Sequence, residues 1–361
     1  MKKLFSSLFL FLCLSLVANA VPAYRGLLTR TQSDGSVVNY YLRGDESFNF
    51  CMTEDGYLII ANENGDFGYA ELNEQSNIVP VGIRVSNIND RTAKEKRFVK
   101  NALKVSELEI ELKQIATKAR KLAKNNVPVK RYPLKGSPTS LVILVNFADV
   151  SFTSPAAKED FTALLNEKNY SENKATGSAR DFFSASSNGI FNPNFVVVGP
   201  YTLPKEMAYY GTDYGVAGSS SRNERYSGQM IIDACKLADP DVDFSEYDTD
   251  GNGYVDNVFV YYAGYGENEG AEENTVWPHA WEVYPEYVEG KLRYDGKLLR
   301  GYACTSELQG TSGEVMCGIG TFCHEFGHVL SFKFGEIANS NEFKTIYKNS
   351  IYAHSTKNKT S

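Results

Sequence analysis

The stretch His324-Glu325-Phe326-Gly327-His328 constrains this chain more than any other, because its chemistry requires a helix. Positions i and i+4 of a helix share one face, so two imidazoles placed there can grip a single metal ion. The glutamate between them lies beside that metal, where a carboxylate can take a proton from a water. Ile319, Phe322, Cys323, Phe326, Val329 and Leu330 recur at three- and four-residue spacing and give the same helix an apolar face. The chain has 4 histidines, and two of them stand in this motif. The competing reading is a pair of solvated histidines on a surface helix, and the rest of the chain favours the metal.

Residues 1–20 read as a signal peptide: Lys2 and Lys3 at the start, an apolar run from Leu4 to Val17, and the small-residue cleavage site Ala18-Asn19-Ala20. Cys13 lies inside the apolar run rather than at its end, which argues against a retained lipid anchor. That run is too short to span a bilayer and no other segment is long enough, so the mature chain is expected to be exported and soluble, with no membrane span. The remaining length suits two domains. A net charge of −7 argues against nucleic acid as the main partner. Cys51, Cys235, Cys304, Cys317 and Cys323 survive removal of the signal, an odd set that leaves at least one free thiol or an intermolecular pair. Cys304 and Cys317 are a candidate disulfide. Cys323 neighbours a histidine, but adjacent helical residues face different ways, so packing is its expected role. Cys51 could cap a zinc through its thiolate, although an isolated cysteine in a β-rich segment is expected to be structural.

From Tyr24 to Leu72 short β-rich runs alternate with reversals at Gly35 and Gly56, as expected of a small β-domain well separated from the metal motif. Between Arg91 and Lys135 the chain turns basic, with fourteen Lys/Arg against four Glu. Val105, Leu108, Leu112, Ile115, Ala119 and Leu122 give an amphipathic helix there, with Ser106 and Glu109 as its capping box and Pro128 as its stop. The regular apolar seam suits a linker helix packed on the domain that follows. Lys130-Arg131 then sits in a loop between domains, either as a processing site or as an ordinary charge pair.

Leu141-Val142-Ile143-Leu144-Val145 is a continuous apolar run and reads as a fully buried strand. Ser154-Pro155 opens a helix carrying Phe161, Leu164 and Leu165, and Gly177-Ser178 opens another with Phe182 and Phe183. Phe195 to Val198 and Val258 to Tyr262 are further strands, with a helix from about Asn223 to Ala238 between them. Strands alternating with helices predict an α/β layer ahead of the metal helix.

Asp248-Thr249-Asp250-Gly251-Asn252-Gly253 matches the first half of a calcium loop, and Asp256 adds a ninth-position oxygen. Asp248, Asp250, Asn252 and Asp256 are therefore candidate ligands of calcium or another hard cation. The twelfth position is Phe259 rather than a bidentate glutamate, so the loop is not a complete EF-hand, and an Asp/Gly-rich turn that needs no ion is the alternative. His279, flanked by Trp277 and Trp281, is read either as a substrate-binding group near the cleft or, as expected, a buried structural histidine.

With these residues in place, the chain resembles the immune inhibitor A-like secreted metalloproteases, metallopeptidase family six. The resemblance runs from about Pro22 to Leu330. It is carried by Asp181-Phe182-Phe183-Ser184-Ala185-Ser186-Ser187-Asn188-Gly189, Val198-Gly199-Pro200-Tyr201, Tyr209-Tyr210-Gly211, the Tyr247 to Asp256 loop, Tyr262-Ala263-Gly264, Trp277-Pro278-His279 and the run from Gly318 to His328. The segment from Pro22 to Tyr57 resembles the family's N-terminal propeptide. The resemblance implies a zincin-like peptidase made as a zymogen, with its own propeptide as intramolecular inhibitor and a protein or peptide as substrate. Zinc would be held by His324 and His328, and Glu325 would be the general base. Neutral imidazole is the ligating form, so activity is expected to fall as the histidines protonate. The family's pattern continues with Gly-Leu-Pro-Asp and an acidic third ligand, but here Ser331 and Phe334 occupy the Gly and Asp positions. Glu336, Glu342 and His354 are candidate substitutes. The change after Leu330 is read as a frameshift or truncation, which keeps open a second reading: an inactive homologue acting as a secreted binding protein.

The expected fold class is α+β or α/β, a zincin-like catalytic domain with a mixed sheet and an HExxH helix, preceded by a small β-rich propeptide domain. The expected boundaries are 1–20 for the signal peptide, 21–90 for the β-rich domain, 91–136 for the basic helical linker, 137–330 for the catalytic domain and 331–361 for a divergent tail.

Overall fold

Alternation of buried and open side chains along the N-terminal third makes it a sheet with two usable faces. The computed structural model describes residues 22–62, 64–124, 132–214, 223–224, 226–285 and 288–330. The signal peptide, Pro128, Lys130-Arg131, the divergent tail and its Glu336, Glu342 and His354 lie outside the described residues. Strands β1 (Leu28–Thr31), β2 (Val37–Asp45), β3 (Phe48–Thr53), β4 (Leu58–Ala61), β5 (Phe67–Leu72) and β6 (Ile78–Arg84) form a six-stranded sheet in sequence order. Each neighbouring pair is antiparallel. Gly35 and Gly56 turn the chain with φ of +83° and +92°, where side-chain-bearing residues are strained.

One face of this sheet buries Val38, Tyr40, Leu42, Ile59, Phe67 and Tyr69. The other buries Phe48, Leu58, Ala70 and Ile78. Helix α1 (Ala93–Val99) starts at a capping box in which the Thr92 hydroxyl accepts from the Glu95 amide while the Glu95 carboxylate accepts from the Thr92 amide. Just before it, Arg91 donates in a fork to Asp55, at 2.7 and 2.6 Å, and ties the helix to the sheet. Helix α2 (Glu109–Lys124), with Leu108 just before it, puts Leu112, Ile115 and Ala119 onto the second face of the N-terminal sheet. This corrects two expectations. The amphipathic helix packs backward on the sheet rather than forward on the next domain, because Phe48, Leu58, Ala70 and Ile78 offer it an apolar surface. Glu109 pairs with Lys113 one turn on instead of closing a box with Ser106.

The second sheet comprises β7 (Thr139–Asn146), β8 (Asn194–Thr202), β11 (Val258–Tyr265), β12 (His279–Glu282) and β15 (Gly301–Leu308), in the order β12-β15-β11-β7-β8. Strands β8, β7, β11 and β15 run parallel, and β12 pairs antiparallel at one edge, so the sheet is mixed. Two-residue strands β9 (Asp213–Tyr214) and β10 (Asn223–Glu224) pair with each other, as do β13 (Arg293–Tyr294) and β14 (Lys297–Leu298). The connecting helices are α3 (Ala157–Asn166), α4 (Ala179–Ser186), α5 (Met207–Gly211) and α6 (Ser227–Ala238), and α7 (Ile319–Val329) closes the described chain. Helix α6 begins four residues later than the periodicity predicts because Asn223 and Glu224 are extended in β10.

Parallel strands carry helices on both faces, which accounts for the unbroken apolar run of β7. Leu141, Ile143 and Val145 face the core containing Met230, Ile231 and Ala234 of α6. Val142 and Leu144 face the opposite core, shared by α3, α4 and α7. Ser178 caps α4 in a reciprocal bond pair with Asp181. All five described cysteines are free thiols, so the Cys304–Cys317 disulfide does not form. The Cys304 thiol lies 3.6 Å from His279 Nδ1 and that of Cys317 lies 3.7 Å from Ser306 Oγ. Among the described residues no helix is long and apolar enough to cross a membrane.

Phe326 sits where α7 meets the sheet, with ring centroids 5.2 Å from both Tyr132 and Phe195 and 5.4 Å from Phe183. Phe326→Ala is expected to destabilise the chain by about 3–5 kcal/mol through the cavity it leaves. Exposed Ile110→Ala should stay within about 0.5 kcal/mol. Urea unfolding of the two variants checks the contrast.

Candidate metal centre

Gly318 leads into α7 in an extended conformation, and the helix ends at Leu330. Phe322 and Phe326, one turn apart, stack at 5.7 Å with an interplanar angle of 8°. Phe322 also meets Phe195 at 5.0 Å and Phe259 at 4.4 Å, so the helix is keyed to the sheet by aromatic rings. Cys323 is buried in the same apolar cluster and has the packing role expected of it.

With the apolar face fixed, His324 and His328 project together. Their Nε2 atoms are 3.2 Å apart. Two nitrogens bound to one tetrahedral zinc at about 2.1 Å each are about 3.4 Å apart, so the pair has the spacing that such an ion requires. His324 is only 3 % exposed. Burial, with His328 alongside, lowers its pKa to about 3, and burial lowers that of His328 to about 4. Both imidazoles are therefore neutral at neutral pH, which is the ligating form.

Glu325 is fully buried, and neither carboxyl oxygen has a hydrogen-bond partner. Burial raises its pKa well above the ordinary value. A buried carboxyl without partners is costly in an apolar setting and fits a site that supplies a cation and a polarised water. The donor set and the orphaned carboxyl thus fit zinc.

A third ligand-bearing group enters from the N-terminal sheet. One Glu46 carboxylate oxygen and one nitrogen of each histidine all lie within 4.8 Å of one another. The β-domain expected to stand well apart from the metal motif instead meets it, because its β2–β3 hairpin reaches α7. Sequence reading missed Glu46. Its signal was slight, an acidic residue in a two-residue turn between β-rich runs.

His279 is held through both ring nitrogens. Its Nδ1 lies 2.7 Å from the Trp277 carbonyl oxygen and its Nε2 lies 2.8 Å from the Tyr302 hydroxyl. Cys51 packs with the first-face cluster of the N-terminal sheet.

The acidic loop brings Asp248, Asp250 and Asp256 together, with one oxygen of each within 4.8 Å of the others. Gly251 and Gly253 make the reversal at φ of +72° and +88°. The Asn252 side-chain Nδ2 donates to Asp250 Oδ2 at 2.9 Å, and its Oδ1 accepts from the Tyr254 backbone amide at 3.0 Å. Lys297 was not foreseen. Its Nζ lies 2.7 Å from Asp248 Oδ2, and this hydrogen bond is the main cause of a lowered Asp248 pKa. Asp256 is 5 % exposed, and its Oδ1 lacks a partner while Oδ2 accepts from the Thr249 amide and hydroxyl. Burial raises its pKa to about 6, against the lowering effect of the Thr249 bonds.

The model of the immune inhibitor A peptidase M6 catalytic domain matches residues 136–335. The chain belongs to this family, and its second sheet with α7 lies in a metallopeptidase domain. Members of the family are zinc-dependent, and a protease of this kind acts on protein substrates. Compared with curated proteins, the chain has no significant match.

The state of Glu325 yields a pH test. Its folded pKa lies above the ordinary 4.5, so the unfolded chain releases that proton first and stability is lost as pH rises past 4.5. In chelator-treated protein at pH 7, Glu325→Gln should raise the melting temperature by at least about 2 °C. The gain should vanish near pH 4. Melting curves across that range check it, and an equal or lower melting temperature at pH 7 would contradict the assignment.

Proposed function

We propose that the chain is a secreted zinc endopeptidase made in a latent form. The observation that carries this reading is the His324–His328 pair, with Nε2 atoms 3.2 Å apart beside a buried, unpartnered Glu325. His324 and His328 would hold the ion. When bound, zinc supplies Lewis-acid polarisation of the scissile carbonyl and acidifies the attacking water.

Glu325 then acts as the general base. Its carboxylate takes a proton as the water oxygen bonds to the carbonyl carbon. It returns that proton to the amide nitrogen as the carbon–nitrogen bond breaks. The aromatic packing beneath α7 keeps the carboxyl in place through the cycle. Residues 1–20 would direct export, and the N-terminal sheet would act as a propeptide.

A second reading rests on the sequence after the motif, where Ser331 and Phe334 replace the family's Gly and Asp. In that reading the chain is an inactive homologue that binds protein ligands. Casein cleavage by the chain from Val21 to Ser361, with zinc and with or without limited trypsin, separates the two. The peptidase reading expects cleavage that Glu325→Ala lowers by roughly 10²–10⁴, the usual contribution of a general base. Equal inactivity of both proteins, before and after trypsin, would favour the binding homologue.

Calcium is proposed for the acidic loop, with Asp248, Asp250, Asn252 and Asp256 as ligands. The support is the buried Asp256 Oδ1, which lacks a partner, and Lys297 would give way to the ion. Millimolar calcium is expected to raise the melting temperature of the native chain and to leave Asp256→Asn unmoved. Equal shifts in both would remove the loop as a calcium site.

A further inference from the structure

The β2–β3 hairpin is built to deliver its tip to one place. Its turn is two residues, Glu46 and Ser47. Asp45 is buried and its Oδ1 accepts from the Ser47 amide at 3.0 Å and the Phe48 amide at 3.3 Å, which fixes the backbone on either side of the tip. Gly44 has φ of +107°, and a Cβ there would lie 2.0 Å from the Phe48 carbonyl oxygen, so only glycine allows this closure. The Ala23 amide donates to the Gly44 carbonyl at 3.0 Å and pins the chain's entry segment alongside. Phe48 is rooted in the apolar layer beneath α2.

The sheet that carries this hairpin is also docked. The Tyr24 amide donates to the Asn268 carbonyl at 2.7 Å and the Tyr40 hydroxyl to the Gly270 carbonyl at 3.3 Å. Trp277 is buried among the sheet's own apolar residues. Leu28 lies so close to Gly270 that a Cβ there would fall 2.4 Å from it. Hairpin and docking together set the Glu46 carboxylate beside His324 and His328.

We propose that Glu46 joins His324 and His328 as a protein ligand of the zinc in the latent chain, so that the N-terminal sheet occupies a position of the ion that water or substrate needs and thereby withholds it. A catalytic zinc takes three protein ligands and keeps one position for water or substrate. Two imidazoles and one carboxylate are a suitable set. A ligand from the N-terminal sheet stands where the reaction needs access, and displacement of the sheet removes ligand and obstruction together. The inference rests on the zinc peptidase reading and assigns the means of its latency.

Metal binding tests it without recourse to activity. The full chain is stripped and titrated with zinc against a chromophoric chelator, and a cobalt(II)-loaded sample is examined by visible absorption. The native chain is expected to bind one ion per molecule, and His324→Ala to bind none. Glu46→Gln, which keeps shape and loses charge, and Glu46→Ala are both expected to weaken zinc by roughly 10–100-fold and to alter the cobalt spectrum. Glu46→His should recover affinity with a changed spectrum, and Ser47→Ala should leave both readouts as in the native chain. Native affinity and spectrum in both Glu46→Gln and Glu46→Ala, with binding still lost in His324→Ala, would overturn the role of Glu46 and leave the zinc reading standing. No zinc binding by the native chain would overturn both. Should Glu46→Ala unfold, the isosteric Glu46→Gln carries the decision.

Discussion

The seam of aromatic rings under α7 is the contact on which the site depends. Phe322 and Phe326 stack on each other and meet Phe195 edge-on, and Phe322 also meets Phe259, which fixes the rotation of the helix about its axis. A residue two positions along a helix is turned by about 200°, so His324 and His328 face away from the sheet that holds Phe322 and Phe326. Such a face ordinarily meets water, yet His324 is 3 % exposed. Its burial therefore comes from chain packed on the far side, and the β2–β3 hairpin is part of that cover.

Burying two imidazoles and a carboxyl in one place runs against their hydration. In the absence of a cation, each responds by favouring its neutral form: the histidine pKa values fall and that of Glu325 rises. A divalent ion changes the balance, since it binds neutral imidazole and favours an ionised carboxylate nearby. The same apolar seam that aligns the helix thus sets the electrostatics, because it supplies the low-dielectric surroundings that make an ion's charge count.

Much of the fold was legible where one physical demand dominates a segment. The run Leu141 to Val145 has to be covered on both faces, and it is. The Ser178 cap of α4 and the histidine pair of α7 follow from local spacing. Strand β15 was not legible, because its second half, Thr305, Ser306 and Glu307, is polar yet buried. Glu307 accepts from the Thr153 and Gly264 amides at 2.7 and 3.0 Å, so long-range bonds account for a pattern that local hydropathy reads as a loop. Helix α2 was recognised, but its partner was not. Periodicity tells which face of a helix is apolar and is silent on which sheet receives it. Lys297 at the acidic loop was hidden for the same reason, being 49 residues from Asp248.

Residue type was the wrong guide to the group that meets the metal pair from outside the helix. Among N-terminal residues, thiolate chemistry singles out Cys51, and zinc does bind thiolate well. Cys51 lies within β3, however, where the pleat commits each side chain to one face of its own sheet, and it packs there with the first-face cluster. A residue in a two-residue turn has no such commitment. Its side chain points beyond the sheet's edge, and the distance it reaches is set by the length of the strands behind it. Glu46 tops the nine-residue strand β2, and its neighbours Gly44, Asp45 and Phe48 hold the turn rather than the metal. Position in the hairpin, more than ligand strength, decides which group of the N-terminal sheet can meet the histidines, and a carboxylate at that position is enough.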